Sequence, residues 1–451
     1  MNRFKGHISL PALAVALVLL VAPASAQILV IENGTVHPMT GDPFQGQVVI
    51  QNGLITAVGP DASAPSSATR IDAAGMHVYP GLFDAMSTLG LTEVGSVPAT
   101  NDMAEMGMYN PHLIAATAIH PSSELIPVAR ANGITHSLVT PRVGRNGVIA
   151  GQASLVNLDG WTVEEMAVEA SAALVIIWPA IVTRSFDYST YSWKNTPFKD
   201  AKEKAKEKQD ELRDWMDAAR QYQQAKGAKD SRAVMDQKLS ALARCLDGGM
   251  PVVIQANAKR DIDAAVAFSE EYGLTLILSG GRDAWKVRET LAEKDIPVIL
   301  GRTFSTPREQ DDSYDLPYAS PGMLRGAGVR IAFSSGAGVR WGSGGAHSSR
   351  TTPYEAAMAA AFGLSEDDAM KALTLWPAEI LGVSDRLGSL EPGKVANVIV
   401  TDGSPLVMSS NVQHLIIAGH VVPTDNFHRD LYEKYGARPL PKPDAALEAS
   451  R

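Results

Sequence analysis

The chain has 451 residues, of which 45% are hydrophobic and 20% charged, a balance typical of soluble globular proteins. Its formal net charge of -9 does not favour a nucleic acid or an anionic membrane as a partner. The single cysteine, Cys245, excludes an internal disulfide framework.

The N-terminal residues have the features of a secretory signal peptide. Two basic residues, Arg3 and Lys5, precede an apolar run over residues 8–21, and small residues follow at 24–26. This run is shorter than the roughly 20 residues that a membrane-spanning helix needs, so we favour a cleaved signal over an uncleaved anchor. Removal of residues 1–26 would leave an exported protein, periplasmic or secreted, without membrane attachment.

Short apolar runs separated by tight-turn signals lie near both ends of the predicted mature chain. Near its start they lie at 27–31, 47–50 and 54–58, and near its end at 395–400 and 414–422. Asn-Gly pairs and other turn residues stand between them, which predicts β-hairpins in both flanks.

The middle of the chain alternates short apolar runs with helical stretches, a pattern typical of parallel βα units. The predicted strands are 79–85, 135–140, 173–178, 252–255, 275–278, 298–300 and 330–333, with an eighth expected at 152–157. Residues 201–241 are rich in lysine and glutamate and predict a charged helical insertion. We favour a solvated helix with i,i+4 ion pairs there, and an arm that binds a partner is the alternative.

The sequence Pro-Gly-Leu-Phe-Asp-Ala at 80–85 resembles the first-strand motif of the amidohydrolase superfamily, which continues as His-x-His. Segments 363–365, 372–382 and 385–394 are also similar to that family, and the chain resembles its imidazolonepropionase-like branch. The resemblance implies an α/β fold with a (β/α)8 barrel over 79–385. It also implies a small discontinuous β-sandwich, formed by 27–78 plus 386–425, and a C-terminal tail over 426–451.

In that superfamily a divalent metal is bound at the carboxyl ends of barrel strands, where it activates water. The resemblance identifies five ligand positions, and they carry Met86, Thr88, Gln255, Gly280 and Gly336. A thioether, a hydroxyl and an amide are weak ligands for a zinc-type ion, and glycine has no side chain. A carbamylated lysine is excluded as well, because no lysine lies between Lys5 and Lys194. The sequence therefore predicts that the family's metal cofactor is absent.

Four further residues are candidates for a pocket at this end of the barrel: Arg282, Ser334, Ser335 and His347. The serines follow a predicted strand, but no neighbouring base is recognisable that would activate them. Glycines between 336 and 345 could bind an anion together with Arg282 and Arg340, although a loop that fills the vacated site is the interpretation we favour. His136 lies within a strand and is interpreted as a packed histidine.

Two classes of function remain open. The first is a catalytically degenerate member, either a protein that binds a small-molecule ligand or a subunit of a homo- or hetero-oligomer with an active homologue. The insertion at 201–241 is the candidate contact for such a partner. The second is a hydrolase that cleaves C–N bonds of cyclic amides or small peptides at an unconventional site. We favour the first, because every ligand position is substituted.

Overall fold

The structure is a computed structural model that describes residues 28–144, 146–187, 189–228, 234–338 and 345–439. The predicted signal peptide and the end of the predicted tail lie outside these ranges, as do Arg340 and most of the glycine-rich stretch around it. Within the described ranges, no helix is long and apolar enough to cross a membrane.

Strands predominate near both ends of the described chain, and strands alternate with helices between residues 252 and 361. The strands are β1 (Ile28–Val36), β2 (Phe44–Gln51), β3 (Leu54–Gly59), β4 (Thr69–Asp72), β5 (His77–Pro80), β6 (Leu82–Ser87), β7 (Ile134–Val139), β8 (Ile149–Asn157), β9 (Ala167–Ile177), β10 (Arg184–Asp187), β11 (Ser192–Asn195), β12 (Val252–Ala256), β13 (Leu276–Gly280), β14 (Val298–Leu300), β15 (Ile331–Phe333), β16 (Val398–Thr401), β17 (Val412–Ile417) and β18 (His420–Val422). The α-helices are α1 (Leu125–Arg130), α2 (Val163–Met166), α3 (Phe198–Gly227), α4 (Gln237–Ala243), α5 (Lys259–Tyr272), α6 (Arg288–Glu293), α7 (Leu316–Gly326), α8 (Thr352–Ala361), α9 (Glu366–Lys371), α10 (Leu375–Ile380) and α11 (Phe427–Gly436).

Eight strands form a barrel sheet in the order β15-β14-β13-β12-β9-β8-β7-β6. The two ends of this sheet meet just after β15, where the Gly336 N–H donates to the Met86 carbonyl oxygen at 2.8 Å. The predicted α/β barrel is therefore confirmed. The strand expected at 152–157 is β8, which begins three residues earlier, at Ile149.

Strand β8 runs antiparallel to both β7 and β9, unlike the parallel units that the sequence pattern predicts. Only residues 140–148 connect β7 to β8. A parallel crossover needs a dozen or more residues, so the chain turns back on itself instead. Strand β9 reverses direction again, and the other strands of the barrel therefore keep their carboxyl ends at one mouth.

The two flanks of the chain meet in a second sheet, in the order β18-β17-β16-β5-β1-β2-β3, with β4 paired to β1. Strand β16 lies antiparallel to β5, which brings residues from near the two ends of the chain side by side. Strand β5 leads into β6 through Gly81, where a Cβ atom would lie 2.1 Å from the Thr135 hydroxyl. Only glycine fits at this junction between the flank sheet and the barrel.

The charged insertion forms α3 and α4, and one face of α3 is packed against the barrel. Leu212 and Met216 are completely buried on that face, and the Tyr272 hydroxyl of α5 donates to Asp217 at 3.1 Å. An i,i+4 ion pair, Lys206–Asp210, lies on the exposed face, as expected for a solvated helix surface. The apolar face of α3 is thus buried against other parts of the same chain.

His136 of β7 joins the barrel to the flank sheet. The Asn397 amide oxygen accepts the Ala418 N–H at 2.6 Å, so its amide nitrogen faces His136 Nε2, also at 2.6 Å. The ring proton then lies on Nδ1, which is 2.7 Å from the Thr135 hydroxyl. The ring stacks on Phe83 with centroids 4.3 Å apart. Burial lowers the pKa of His136 to about 3, so it is a neutral, packed histidine.

Replacing His136 with glutamine is expected to reduce the loss of stability in acid. Between pH 6.5 and about 3 an unfolded histidine binds a proton that folded His136 does not, so the wild type loses stability as the pH falls through this range. The His136→Gln variant has no group that titrates at this position, so it lacks this loss of stability. Urea unfolding at about pH 7 and about pH 4 measures the difference, with His420→Gln on exposed β18 as control. Equal acid sensitivity of wild type and His136→Gln would contradict a buried neutral ring.

Candidate functional site

The mouth of the barrel, where the ligand positions were predicted, is covered by the segment that follows β15. We call residues 334–338 the closing segment. At one end it is bound to β6 through the Gly336–Met86 hydrogen bond. At the other end Gly338 packs on β13, where a Cβ atom on Gly280 would lie 3.1 Å from the Gly338 Cα atom. The closing segment thus crosses from the first barrel strand to the ends of β13 and β14.

Ser334 holds the closing segment in place. Its hydroxyl donates to the Leu300 carbonyl oxygen at 2.8 Å and accepts the Ala337 N–H at 3.1 Å. The side chain is buried, and both hydrogen bonds stabilise the turn out of β15. Ser334 therefore has a structural role in this arrangement and is not placed as a nucleophile.

Asp84, the acidic residue of the first-strand motif, is completely buried and bound to Ser335. Its Oδ1 atom accepts the Ser335 N–H at 2.9 Å, and its Oδ2 atom contacts the Ser335 hydroxyl. That hydroxyl also lies 2.6 Å from the Gly345 carbonyl oxygen, and a single O–H group does not donate fully to two acceptors. A protonated Asp84 satisfies both contacts by donating to Ser335. Burial raises the pKa of Asp84 to about 6, so this protonated state predominates only below about pH 6.

Arg142 places a guanidinium group beside Gly336, one of the predicted ligand positions. It is 5% exposed, and its Nη2 atom donates to the Gly336 carbonyl oxygen at 2.9 Å. Burial lowers the pKa of Arg142 to about 10, while the charge of Asp84 acts in the opposite direction. Arg142 is therefore cationic at neutral pH. Arg142 belongs to no ligand motif and was not predicted from the sequence, although an arginine three residues after a buried strand was a usable signal.

Three side chains at the predicted ligand positions are buried beneath the closing segment. Met86 fills the barrel interior, and its sulfur accepts the Ser279 hydroxyl of β13 at 3.1 Å. Ser279, rather than Gly280, therefore supplies the inward side chain at the end of β13. The Thr88 hydroxyl and the Gln255 amide oxygen are buried without a hydrogen-bond partner among the described residues.

These residues do not fit the divalent metal of the family. Met86, Thr88 and Gln255 offer only weak neutral donors, and the charge of Arg142 would repel a cation. A Cβ atom on Gly336 would lie 2.8 Å from the Met86 carbonyl oxygen, and one on Gly280 would lie 2.7 Å from the Asn257 amide oxygen. The backbone would have to move before either glycine position could carry a ligand side chain.

The predicted site residues do not share one pocket. The buried group consists of Met86, Thr88, Gln255, Gly336, Ser334 and Ser335. Gly280 and Arg282 line a cavity of about 180 Å³ beside the closing segment, between β13, β14 and the start of α7. His347 is exposed and lines a separate cavity of about 620 Å³ next to α1 and α11. The closing segment therefore divides what the sequence suggested was a single site.

Comparison with known proteins finds similarity to amidohydrolases in both sequence and structure. Residues 319–422 match the sequence model of the Amidohydrolase family. Amidohydrolase tasK of Hapsidospora irregularis is 24% identical over 385 residues, which cover 80% of this chain and only 38% of that protein. The crystal structure of an amidohydrolase from Thermotoga maritima MSB8 is similar, with a TM-score of 0.74, 29% identity and coverage of 87% of this chain and 99% of that one. A prolidase complexed with N-methylphosphonate-L-proline shares the fold, with a TM-score of 0.52, 18% identity and coverage of 88% and 99%.

Replacing Gly336 with alanine is expected to destabilise the protein by about 1–3 kcal/mol, because its Cβ atom would meet the rigid Met86 carbonyl group and the buried Arg142. The matched control is Gly326→Ala at the end of α7, where no atom lies within 4 Å of the added carbon. Urea unfolding of both variants measures the difference. An equally stable Gly336→Ala protein would show that the closing segment does not hold the position described.

The Asp84→Asn variant is expected to gain stability relative to the wild type as the pH rises from about 4 to about 7. The folded carboxyl group keeps its proton up to about pH 6, whereas the unfolded one loses it near pH 3.8, so the wild type loses stability across this interval. The amide of Asp84→Asn offers Ser335 a donor and an acceptor without titrating. Unfolding curves at both pH values provide the test, and Asp84→Ala, which offers neither group, should be less stable throughout. A decline of Asp84→Asn relative to wild type with rising pH would show that the ionised carboxylate binds Ser335.

Proposed function

Because the chain belongs to the amidohydrolase superfamily, we propose that it is a member in which an internal cation has replaced the metal and C–N bond hydrolysis has been lost. One observation supports this proposal: the Arg142 guanidinium group and the closing segment are hydrogen-bonded beside Met86 and Gly336, two of the positions that the resemblance identifies as metal ligands. Arg142 donates to Gly336, the position that resembles the family's catalytic aspartate.

Hydrolysis of an amide needs an activated water or nucleophile and a group that transfers protons. Asp84 is the carboxyl group nearest the closing segment, but it is completely buried and bound to Ser335. The hydroxyl groups of Ser334 and Ser335 are both engaged in hydrogen bonds within the fold. This arrangement supports a protein that has kept the barrel for binding rather than for hydrolysis.

We propose that its role is to bind a small-molecule ligand at the barrel mouth. The cavity beside the closing segment remains open, and it lies at the carboxyl ends of barrel strands, where ligands bind in this fold. The alternative is a hydrolase for cyclic amides or small peptides. That alternative requires the closing segment to move, since Asp84, Thr88 and Gln255 are otherwise buried beneath it.

Purified protein is expected to contain no stoichiometric zinc, iron or manganese and to hydrolyse none of a panel of cyclic amides and dipeptides. Elemental analysis after dialysis, and product formation with and without a chelator, measure both properties. The double variant Met86→His, Thr88→His should remain inactive as well, because Arg142 and the closing segment still fill the site.

Two results would decide against this proposal. One bound metal per chain, together with turnover that a chelator abolishes, would show an active metal site. Turnover that resists the chelator would instead support the unconventional hydrolase. In that case Asp84→Ala should abolish turnover if the buried carboxyl group transfers the proton.

A further inference from the structure

The cavity of about 180 Å³ beside the closing segment has a floor made of backbone. Gly280, Gly301 and Gly338 line it without side chains, at the ends of β13, β14 and the closing segment. The walls contain apolar residues from β14 and from the start of α7, including Leu300 and Pro317. A ligand here would contact an apolar wall and, on the opposite side, polar groups of the loop that follows β14.

That loop, residues 301–315, is held in place by two buried carboxylates. Glu355 of α8 accepts the Thr303 N–H at 2.7 Å, and Asp283 lies 2.9 Å from the guanidinium group of Arg308. Both acids already have donors within the fold, so the loop is positioned before any ligand binds. A preformed wall lowers the entropy cost of binding.

Two arginines that line this cavity have no well-matched carboxylate. The Arg282 Nη2 atom donates to the Thr306 carbonyl oxygen, and no ion pair involves Arg282 within the described part of the chain. Arg302 forms a loose ion pair with Glu355, in which Nε lies 3.5 Å from the carboxylate, and Thr303 also donates to that carboxylate. Two guanidinium groups beside one small cavity repel each other, and an anion between them would remove that repulsion.

The other charged residues of the cavity are already paired. Arg308 binds Asp283 as described above, and Asp312 lies 3.6 Å from Lys286. The charge that remains to attract a ligand is therefore positive. An apolar wall next to this charge favours an amphiphilic anion over a simple inorganic one.

We propose that this cavity binds a small organic carboxylate with an apolar group, the carboxylate on Arg282 and Arg302 and the apolar group against Leu300 and Pro317. This inference deepens the proposed function, on which it rests, by naming the class of ligand. The two are tested separately: metal analysis and turnover test the loss of hydrolysis, whereas titration with a non-hydrolysable carboxylate tests the cavity.

The probe is isovalerate, with isovaleramide as its neutral isostere and inorganic phosphate as a charged ligand without an apolar group. Calorimetric titration of the full chain is expected to show isovalerate binding at least about 10-fold more tightly than either control. Equal binding of isovaleramide would overturn the role of the arginines. Equal binding of phosphate would overturn the role of the apolar wall, and no isovalerate binding up to about 10 mM would overturn the site itself.

Arginine variants localise the binding. Arg282→Gln and Arg302→Gln should each weaken isovalerate binding about 10-fold or more, and Arg282→Lys should restore part of the affinity because it keeps the charge. The control is Arg386→Gln, whose side chain is 46% exposed and lies outside the cavity. Arg282 is itself an exposed residue, so its variants are expected to fold normally, as an unchanged thermal midpoint would verify. Unchanged affinity in folded Arg282→Gln would overturn the proposal.

Discussion

The buried contact between Asp84 and Ser335 links the first barrel strand to the segment that leaves the last one. Both ends of the barrel sheet depend on it, because strands β6 and β15 meet just beside this contact, at the Gly336–Met86 hydrogen bond. A buried carboxyl group is expensive unless its hydrogen bonds are satisfied or its charge is removed by protonation. Asp84 is hydrogen-bonded to Ser335, and its pKa, raised to about 6 by burial, lets it take up a proton in mildly acidic solution. The Asp84–Ser335 contact therefore lies both where the barrel sheet closes and where the closing segment begins to cover its mouth.

Arg142 is the second determinant of the mouth. Its guanidinium group donates to the carbonyl oxygen of Gly336 and supplies positive charge at this end of the barrel. A guanidinium group differs from a metal ion in one respect that matters for chemistry: it remains protonated and has no open coordination position for water. Such a group stabilises a fold and orients neighbouring carbonyl groups, but it does not generate hydroxide.

The glycines at 280, 336 and 338 explain how the mouth closes. With no Cβ atoms, these positions let the closing segment lie directly on the ends of β6 and β13. The absence of a side chain at Gly280 and Gly336 thus makes room for neighbouring backbone. The cavity that remains is displaced toward β14 and α7, where Arg282 and Arg302 determine its charge.

Local sequence determined the elements that depend on neighbouring residues. Apolar runs between turn signals located most barrel strands to within a few residues, and the motif at 80–85 identified the family. Met86 and Thr88 stand at the positions that the resemblance assigns to two histidines. Tertiary structure alone showed that β8 is antiparallel to its neighbours, a direction that follows from the short link after β7. It also showed that Arg282 and His347 line separate cavities. It alone revealed the role of Arg142, which lies 194 positions from Gly336, because a contact between distant residues leaves no periodic or motif signal along the chain.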